Sequence, residues 1–222
     1  GYDLLTGLGL RNVCLSNDSV LLTKTEEYCT FIKCFDQYEE KINLRSGKKI
    51  AIIPNYRLID NGKHSLNTLV DLYEYVISSY KREASFYLIP HAGEDLEVCY
   101  AIKKRFPDCE NVIVIDHVMR SFNYQNFIKS FDLIIASRYH SIVHAYKVGT
   151  PAIIIGWAEK YQELANCFEQ QEQIFDLNET PEELVHKVEL LLENTETQRK
   201  HILKIIDQLQ KHSCYAFLGE NK

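Results

Sequence analysis

Five segments of the sequence place basic side chains directly after runs of apolar residues, where they could bind an anion or move a proton. Every segment contains at least one Arg, His or Lys, and the segments are residues 54–57, 90–95, 116–120, 137–140 and 156–160. Guanidinium and ammonium groups bind carboxylates and phosphates, and imidazole exchanges protons near neutral pH. In a chain whose net charge is −6, basic groups concentrated in this way indicate a small anionic ligand, most simply a phosphate or a carboxylate. Each of these residues taken alone is equally compatible with a solvated surface position.

The segment from Ser137 to His140 is the most specific of the five. Arg138 could clamp an oxyanion through two N–H groups, and His140, two residues further on, could act as a general acid. The structural alternative is that His140 caps the following helix or packs as a neutral core residue. His144 lies on the same helical face as His140, but the Glu of a His-Glu-x-x-His zinc motif is missing. We therefore expect His144 to pack rather than to bind a metal.

The apolar runs before these segments are short, continuous and rich in β-branched residues, which is typical of strands buried on both faces of a parallel sheet. They comprise residues 49–53, 86–89, 112–115, 133–136 and 152–155, with a weaker run at 174–177. Helical patterns alternate with them, at residues 65–82, 95–106, 123–130, 141–148, 159–170, 181–193 and 195–211. This alternation predicts an α/β fold with a Rossmann-like, doubly wound parallel sheet. Ligands of such sheets bind beyond the carboxyl ends of the strands, where the basic segments fall.

The length of 222 residues allows one large domain or one and a half. Residues 47–194 contain the alternation of strands and helices and are predicted to form the Rossmann-like, ligand-binding domain. A C-terminal packing helix and tail follow at 195–222. Residues 1–22 carry only a weak strand pattern, and residues 23–46 are polar and charged. We interpret them as the tail of an upstream N-terminal domain and a linker. Because the chain starts at Gly1 rather than Met, we expect it to be a fragment.

The composition argues against several classes of protein. Lys and Arg number 25 against 31 Asp and Glu, which argues against nucleic acid as a partner. No apolar run approaches the ~20 residues of a membrane span. The seven Cys are scattered and form no C-x-x-C pair, so reduced thiols are favoured over a disulfide scaffold or a zinc–thiolate site. We expect a cytoplasmic protein without a metal or other cofactor, and the sequence leaves its oligomeric state open.

Taken in order, these segments resemble the C-terminal signature of the polysaccharide pyruvyl transferases. In that family an aspartate precedes an apolar strand, which is followed by Arg-x-His and a helix. Next come Gly-x-Pro, a second apolar strand, and an aromatic residue with a Lys three positions further on. The corresponding residues here are Asp132, Arg138 to His140, Gly149 to Pro151, and Trp157 to Lys160. Residues 8–22, 52–57 and 88–95 are similar to earlier parts of the family, so the resemblance covers about residues 7–170.

The resemblance implies a two-domain fold similar to the GT-B glycosyltransferases. It also implies transfer of pyruvate from phosphoenolpyruvate to a pair of sugar hydroxyls, which leaves a ketal and phosphate. Carried over by position, Arg57 and Arg138 would bind the carboxylate and phosphate of the donor, and His140 would protonate its methylene carbon. Lys160 would support the negative charge of the donor, and His91 is a further candidate for substrate binding. The implied partners are phosphoenolpyruvate and a glycan or lipid-linked glycan acceptor in the synthesis of a surface polysaccharide such as an exopolysaccharide.

The sequence departs from the family at two positions and leaves two other functions open. Tyr139 stands where Leu is usual and Trp157 where Tyr is usual, and both changes bear on the fit of the acceptor more than on the chemistry. The first alternative is a GT-B glycosyltransferase or an epimerase that uses a nucleotide sugar, with Glu159 or Glu163 near the ribose, although no clear Gly-rich diphosphate turn is present. The second is a non-catalytic binding module. With half of the cleft missing, we expect the 222-residue chain alone to be nearly inactive.

Overall fold

The computed structural model describes residues 2–11, 13, 16–24, 42, 44–60, 64–119, 121–156 and 158–211. Most of the predicted linker, the C-terminal tail beyond residue 211, Arg120 and Trp157 lie outside these ranges. The predictions that concern those residues stay predictions.

In the described part of the chain, six strands form one sheet, and they are β1 Lys48–Ile53, β2 Ala84–Leu88, β3 Val112–Val114, β4 Leu133–Ala136, β5 Ala152–Ile155 and β6 Ile174–Phe175. Their order in the sheet is β3-β2-β1-β4-β5-β6, and all neighbouring strands are parallel. The chain builds outwards from β1 to β3 and then returns to the other side of β1, where Ile53 pairs with Ala136 of β4. Ligands of doubly wound sheets bind at such a reversal of strand order. The predicted α/β, Rossmann-like architecture is confirmed.

Helices connect the strands and cover both faces of the sheet. They are α1 Tyr2–Gly7, α2 Ser19–Leu22, α3 Arg57–Asp60, α4 Leu66–Tyr80, α5 Asp95–Lys103, α6 Ser121–Ile128, α7 Tyr139–Lys147, α8 Glu159–Cys167, α9 Pro181–Glu193 and α10 Thr195–Lys211. Helix α7 starts at Tyr139, before the predicted start at Ser141, so His140 belongs to its first turn. Among the helices of the described ranges, none has the length and apolar character needed to cross a membrane.

The sheet is buried on both faces because successive strand residues pack into two different cores. Ile134 packs in a core with residues of α6, α7, α8 and α10. Ile135, on the opposite face, packs in a second core with residues of α4, α5 and α9. Two of these helices start as the sequence predicts, since the Ser65 side chain caps α4 and the Thr180 side chain caps α9. The two layers hold the strand ends in fixed positions, on which the candidate site is built.

Helix α2 packs against α7 and α10, although it lies in the segment predicted to be the tail of an upstream domain. Leu21 is buried, and the buried Lys147 ammonium group of α7 donates hydrogen bonds to the carbonyl oxygens of Leu21 and Thr23. Gln210 of α10 donates to the same Leu21 oxygen. These contacts fix the preceding Asp18 near the first turn of α7. The predicted domain boundary at residue 22 stays a prediction.

Candidate functional site

The turns that follow β1 and β4 are hydrogen-bonded to each other at the point where the strand order reverses. The buried Asn55 side chain donates from Nδ2 to the Ser137 carbonyl oxygen at 3.0 Å. Its Oδ1 accepts a hydrogen bond from the Arg57 amide at 3.1 Å. The Tyr161 hydroxyl also donates to the Ser137 carbonyl oxygen, at 2.9 Å. Arg57 and Arg138, which are far apart in sequence, are thereby brought to one edge of the sheet.

Asp95 is a buried carboxylate that joins the ends of three strands. Its side chain is fully buried, and it accepts hydrogen bonds from the backbone amides of Tyr56 at 2.9 Å, His91 at 3.1 Å and Ala92 at 2.9 Å. It also forms an ion pair with Arg138 of the β4 turn. A carboxylate that accepts several N–H groups is well stabilised without water, which makes Asp95 the structural centre of this edge. The sequence indicated Asp95 only as the first residue of a helix.

Arg138 uses one side of its guanidinium group to bind Asp95. Nε donates to Asp95 Oδ2 at 3.0 Å, and Nη2 donates to Oδ1 at 2.6 Å. Nη2 also donates to Glu94 Oε1 at 3.0 Å. Within the described residues, only Nη1 of this group makes no hydrogen bond. The two-point clamp expected of Arg138 is therefore made with Asp95, and Nη1 is the nitrogen left for a ligand.

Arg57 approaches the same oxygen of Glu94 as Arg138 does. Its Nε is 3.7 Å from Glu94 Oε1, with the two side chains 68% and 41% exposed. The hydrogen bond from Arg138 holds the pKa of Glu94 below its ordinary value. We call Arg57, Glu94, Asp95 and Arg138 the arginine cluster. Two guanidinium groups face two carboxylates there, so the cationic edge expected from the sequence is largely compensated within the protein.

Lys160 lies next to the β4 turn through contacts with aromatic rings. Its Nζ is 4.9 Å from the centre of the Tyr139 ring and 5.6 Å from that of Tyr161. Cation–π contacts at exposed positions are worth about 0.5–1 kcal/mol, so the ammonium group can leave them at small cost. Lys160 is exposed and is available to an anion bound at this edge.

His140 is exposed at the start of α7, which excludes the alternative of a packed core histidine. Its side chain is 60% exposed, and its Nε2 is 3.8 Å from Asp18 Oδ2 of the segment before α2. No side-chain hydrogen bond caps α7, whose N-cap is Arg138. An exposed imidazole beside a carboxylate can hold a proton and deliver it to a ligand.

His91 is held by a chain of hydrogen bonds that the sequence did not reveal. Its Nδ1 is 3.0 Å from Ser141 Oγ, and the Tyr124 hydroxyl donates to the same oxygen at 2.7 Å. Burial, and then the positive charge of Arg138, lower the pKa of His91. Ser141 and Tyr124 lie on helices, and their positions in the sequence are typical of packing residues. No local pattern distinguished them from other residues of these helices.

His144 packs in the interior as expected but also borders a cavity. Its exposed fraction is 6%, and burial lowers its pKa to about 4. The cavity has a volume of ≈ 340 Å³ and is lined by Val20, Pro90, His91, Val118, Met119, Tyr124, His140 and His144. We call it the histidine cavity. Among the residues described, no cluster of three or more His, Cys, Asp or Glu side chains has the arrangement of a metal site.

The strand order, which reverses between β1 and β4, defines a Rossmann-like domain. The family model of the polysaccharide pyruvyl transferases matches residues 1–159. The chain therefore belongs to the polysaccharide pyruvyl transferase family, as the resemblance indicated. No curated protein matches the chain significantly.

Solved structures with a similar fold include a transferase and an epimerase. A mutant O-GlcNAc transferase of Thermobaculum terrenum has a TM-score of 0.58 and 14% identity over 81% of this chain and 35% of its own. The UDP-GlcNAc 2-epimerase of Methanocaldococcus jannaschii, in complex with UDP-GlcNAc and UDP, has a TM-score of 0.57 and 13% identity over 92% of this chain and 57% of its own. The chain thus spans about a third of the transferase and just over half of the epimerase. At this identity the similarity concerns the fold alone.

Proposed function

We propose that this chain is the donor-binding part of a transferase that moves pyruvate from phosphoenolpyruvate to two hydroxyl groups of a surface polysaccharide or its precursor. One observation carries the proposal: Arg57 follows β1, and Arg138 and His140 follow β4, at the reversal point of the sheet in a member of the pyruvyl transferase family. Phosphoenolpyruvate has a carboxylate and a phosphate, which suit two guanidinium groups. Both groups are attached to C2, and the double bond from C2 to the methylene carbon requires a proton donor, which His140 supplies.

The donor would bind by exchange with Glu94. The Glu94 carboxylate lies between the two guanidinium groups, 3.7 Å from Arg57 and 3.0 Å from Arg138. It is partly exposed, whereas Asp95 is fully buried. A phosphate or carboxylate of the donor can therefore displace Glu94 while Asp95 keeps Arg138 in place. Nη1 of Arg138 and Lys160 add further donors to the same anion.

The reaction would run through protonation of the donor. His140 gives its proton to the methylene carbon, which becomes a methyl group, and C2 becomes electrophilic. One acceptor hydroxyl adds to C2, the bond between C2 and the phosphate oxygen breaks, and the second hydroxyl closes the cyclic ketal. Of the two hydroxyl protons, one restores the proton on His140 and the other leaves with the phosphate. The Asp18 carboxylate lies beside this imidazole, 3.8 Å from Nε2.

The test is phosphate release by the full-length natural protein in the presence of a panel of glycan acceptors. Release that requires both phosphoenolpyruvate and an acceptor would support the proposal, and its absence with every acceptor would overturn it. His140→Ala should lower the rate by about 10²–10⁴-fold. His186→Ala is the matched control, since that imidazole is 62% exposed on α9 and should leave the rate unchanged.

Calorimetric titrations separate this function from a nucleotide-sugar enzyme with the same fold. Phosphoenolpyruvate should bind the chain and UDP should not. Tight binding of UDP without binding of phosphoenolpyruvate would favour a glycosyltransferase or an epimerase instead. We further propose that the 222-residue chain alone turns over little, because the two-domain fold that the family resemblance implies has a second domain across the cleft; measurable turnover by this chain would contradict that.

A further inference from the structure

The histidine cavity adjoins the arginine cluster but differs from it in chemistry. It has a volume of ≈ 340 Å³, within the range of small-molecule sites. His91, Tyr124 and His144 provide its polar groups, and Val20 and Met119 contribute to its apolar wall. His140 lines the same cavity and is exposed, so the proposed proton donor can reach a ligand held there.

The chain of hydrogen bonds at His91 determines which ring nitrogen carries the proton. The Tyr124 hydroxyl donates to Ser141 Oγ, which leaves the Ser141 hydrogen free to be donated to His91 Nδ1 at 3.0 Å. Nδ1 is then an acceptor, and the proton of the neutral imidazole lies on Nε2. Tyr124 and Ser141 thus position His91 as a neutral N–H donor.

His144 is also a neutral N–H donor, but for a different reason. It is buried, and no described residue forms a hydrogen bond with its Nδ1. A buried lone pair without a partner is more readily tolerated than a buried N–H group, so the proton belongs on Nε2. The titratable groups around the two histidines are Asp18, Asp95, Arg138 and His140, and burial outweighs the attraction of the carboxylates to keep both rings uncharged near neutral pH.

We propose that the histidine cavity is a subsite for one uncharged sugar unit, whose hydroxyl oxygens accept hydrogen bonds from Nε2–H of His91 and of His144 while its C–H groups pack on Val20 and Met119. Two neutral donors beside an apolar wall suit the alternating polar and apolar surface of a sugar ring. They do not suit a phosphate, for which the arginine cluster provides full charges a short distance away. That the sugar is the acceptor of pyruvate rests on the proposed function; that the cavity binds a sugar does not.

The experiment is an NMR titration of the chain labelled with ¹⁵N in its histidine side chains. The probes are the methyl glycosides of glucose, galactose and N-acetylglucosamine, with phosphoenolpyruvate and inorganic phosphate as charged ligands. At least one glycoside should shift the imidazole signals of His91 and His144 with a dissociation constant of about 1–10 mM, as expected for a single sugar ring. The free protein should show His91 as the Nε2–H tautomer.

Variants separate binding from folding. His144→Phe keeps the ring but removes the donor, and should abolish the glycoside-induced shift of His91. Tyr124→Phe breaks the hydrogen-bond chain and should weaken glycoside binding at least threefold while changing the tautomer signal of His91. Arg57→Gln should leave glycoside binding unchanged. His201→Phe, a substitution on α10 at a side chain 36% exposed, is the control for a histidine outside the cavity.

Several results would overturn the inference. If phosphoenolpyruvate shifts His91 and His144 and no glycoside does, the cavity belongs to the anionic donor. If no glycoside has an effect at about 100 mM, well above the expected dissociation constant, the cavity is not a sugar site. A wild-type His91 with its proton on Nδ1 would refute the proposed positioning even if the variants fail to fold. Glycoside binding without binding of phosphoenolpyruvate would support the subsite and overturn the proposed function.

Discussion

The arginine cluster and the histidine cavity meet along helix α7, but they differ in whether their polar groups have partners within the protein. Arg138, at the N-cap of α7, has its guanidinium group bound to Asp95 and Glu94. His144, in the last turn of the same helix, is buried with a ring nitrogen that no described residue contacts. Under the proposed function, the first region would bind an anion in place of the Glu94 carboxylate. The second holds neutral donors whose hydrogen bonds a ligand can complete.

The difference follows from the cost of burial. A buried charge requires a partner at all times, because an unpaired ion away from water costs several kcal/mol. A neutral imidazole without a partner costs less, about 1–3 kcal/mol. A protein can therefore leave a neutral site incomplete until its ligand arrives, whereas a charged site must contain a replaceable counter-ion. In the proposed function Glu94 is the replaceable counter-ion of Arg138, and Asp95 is its permanent counter-ion.

The largest expected effect comes from removing the permanent counter-ion. Asp95→Asn leaves the guanidinium group of Arg138 with a neutral partner and weakens the bonds to three backbone amides. The free energy of unfolding should fall by about 3 kcal/mol, measured by urea denaturation. The control is Asp71→Asn, which breaks an exposed pair with Arg105 and should cost less than about 1 kcal/mol. Equal losses in the two variants would show that Asp95 is not the centre of the cluster.

The second effect is a dependence of stability on pH that the histidine cavity creates. The pKa of His144 is lowered to about 4 in the folded protein, from 6.5. Between these values the unfolded chain binds more protons, so stability is complete above about pH 6.5 and falls as the pH drops towards 4. From pH 7 to pH 5 this residue alone should remove about 2 kcal/mol from the free energy of unfolding.

Replacing His144 tests that assignment. His144→Phe should lose about 2 kcal/mol less than the wild type between pH 7 and pH 5, measured by urea denaturation at both values. His186→Gln, at an exposed position of α9, should behave as the wild type does. If the stability of His144→Phe keeps the full dependence on pH, burial in the cavity does not keep the His144 imidazole uncharged.

A smaller effect concerns the replaceable counter-ion. Glu94→Gln removes the carboxylate that competes with the donor for Arg57 and Arg138. The dissociation constant for phosphoenolpyruvate, measured by calorimetry, should fall about threefold to fivefold, as expected from an exposed ion pair. The control is Glu97→Gln in the first turn of α5, whose N-cap is Glu94, and it should change the affinity less. Weaker binding in Glu94→Gln would mean that Glu94 supports the donor rather than competing with it.

The smallest effect is expected at Lys160. Its ammonium group rests on Tyr139 and is exposed, so Lys160→Gln should weaken binding of phosphoenolpyruvate by less than about threefold. The loss should shrink at high salt, because exposed charges are screened. Lys104→Gln, at another exposed position, is the control. A loss of tenfold or more would place Lys160 among the principal donor-binding groups of the arginine cluster.

The sequence could predict the sheet and the edge at which the functional residues meet. Continuous apolar runs give parallel strands, and the carboxyl ends of parallel strands lie together, which brings Arg57, Arg138 and His140 to one edge without any further information. The pairing of these residues could not be predicted. Arg138 bonds to a carboxylate 43 positions away, and Ser141 bonds to a histidine 50 positions away.

Those pairs depend on tertiary packing rather than on a local pattern. Asp95 is the first residue of a helix, where an acidic side chain is common because it interacts favourably with the helix dipole. Tyr124 occurs on a helix face that also packs in the core, so its hydroxyl leaves no periodic signal. Nearness to a strand end does not single out Asp95 either, because Asp116 directly follows the predicted strand 112–115.

The most direct test is a crossed binding experiment on two variants, Arg57→Gln and His144→Phe. Calorimetry would measure the binding of phosphoenolpyruvate, and ¹⁵N-histidine NMR the binding of a methyl glycoside. We expect Arg57→Gln to weaken only the binding of phosphoenolpyruvate and His144→Phe to weaken only the binding of the glycoside. If either variant weakens the binding of both ligands equally, the arginine cluster and the histidine cavity are one undivided site, and the proposed division is wrong.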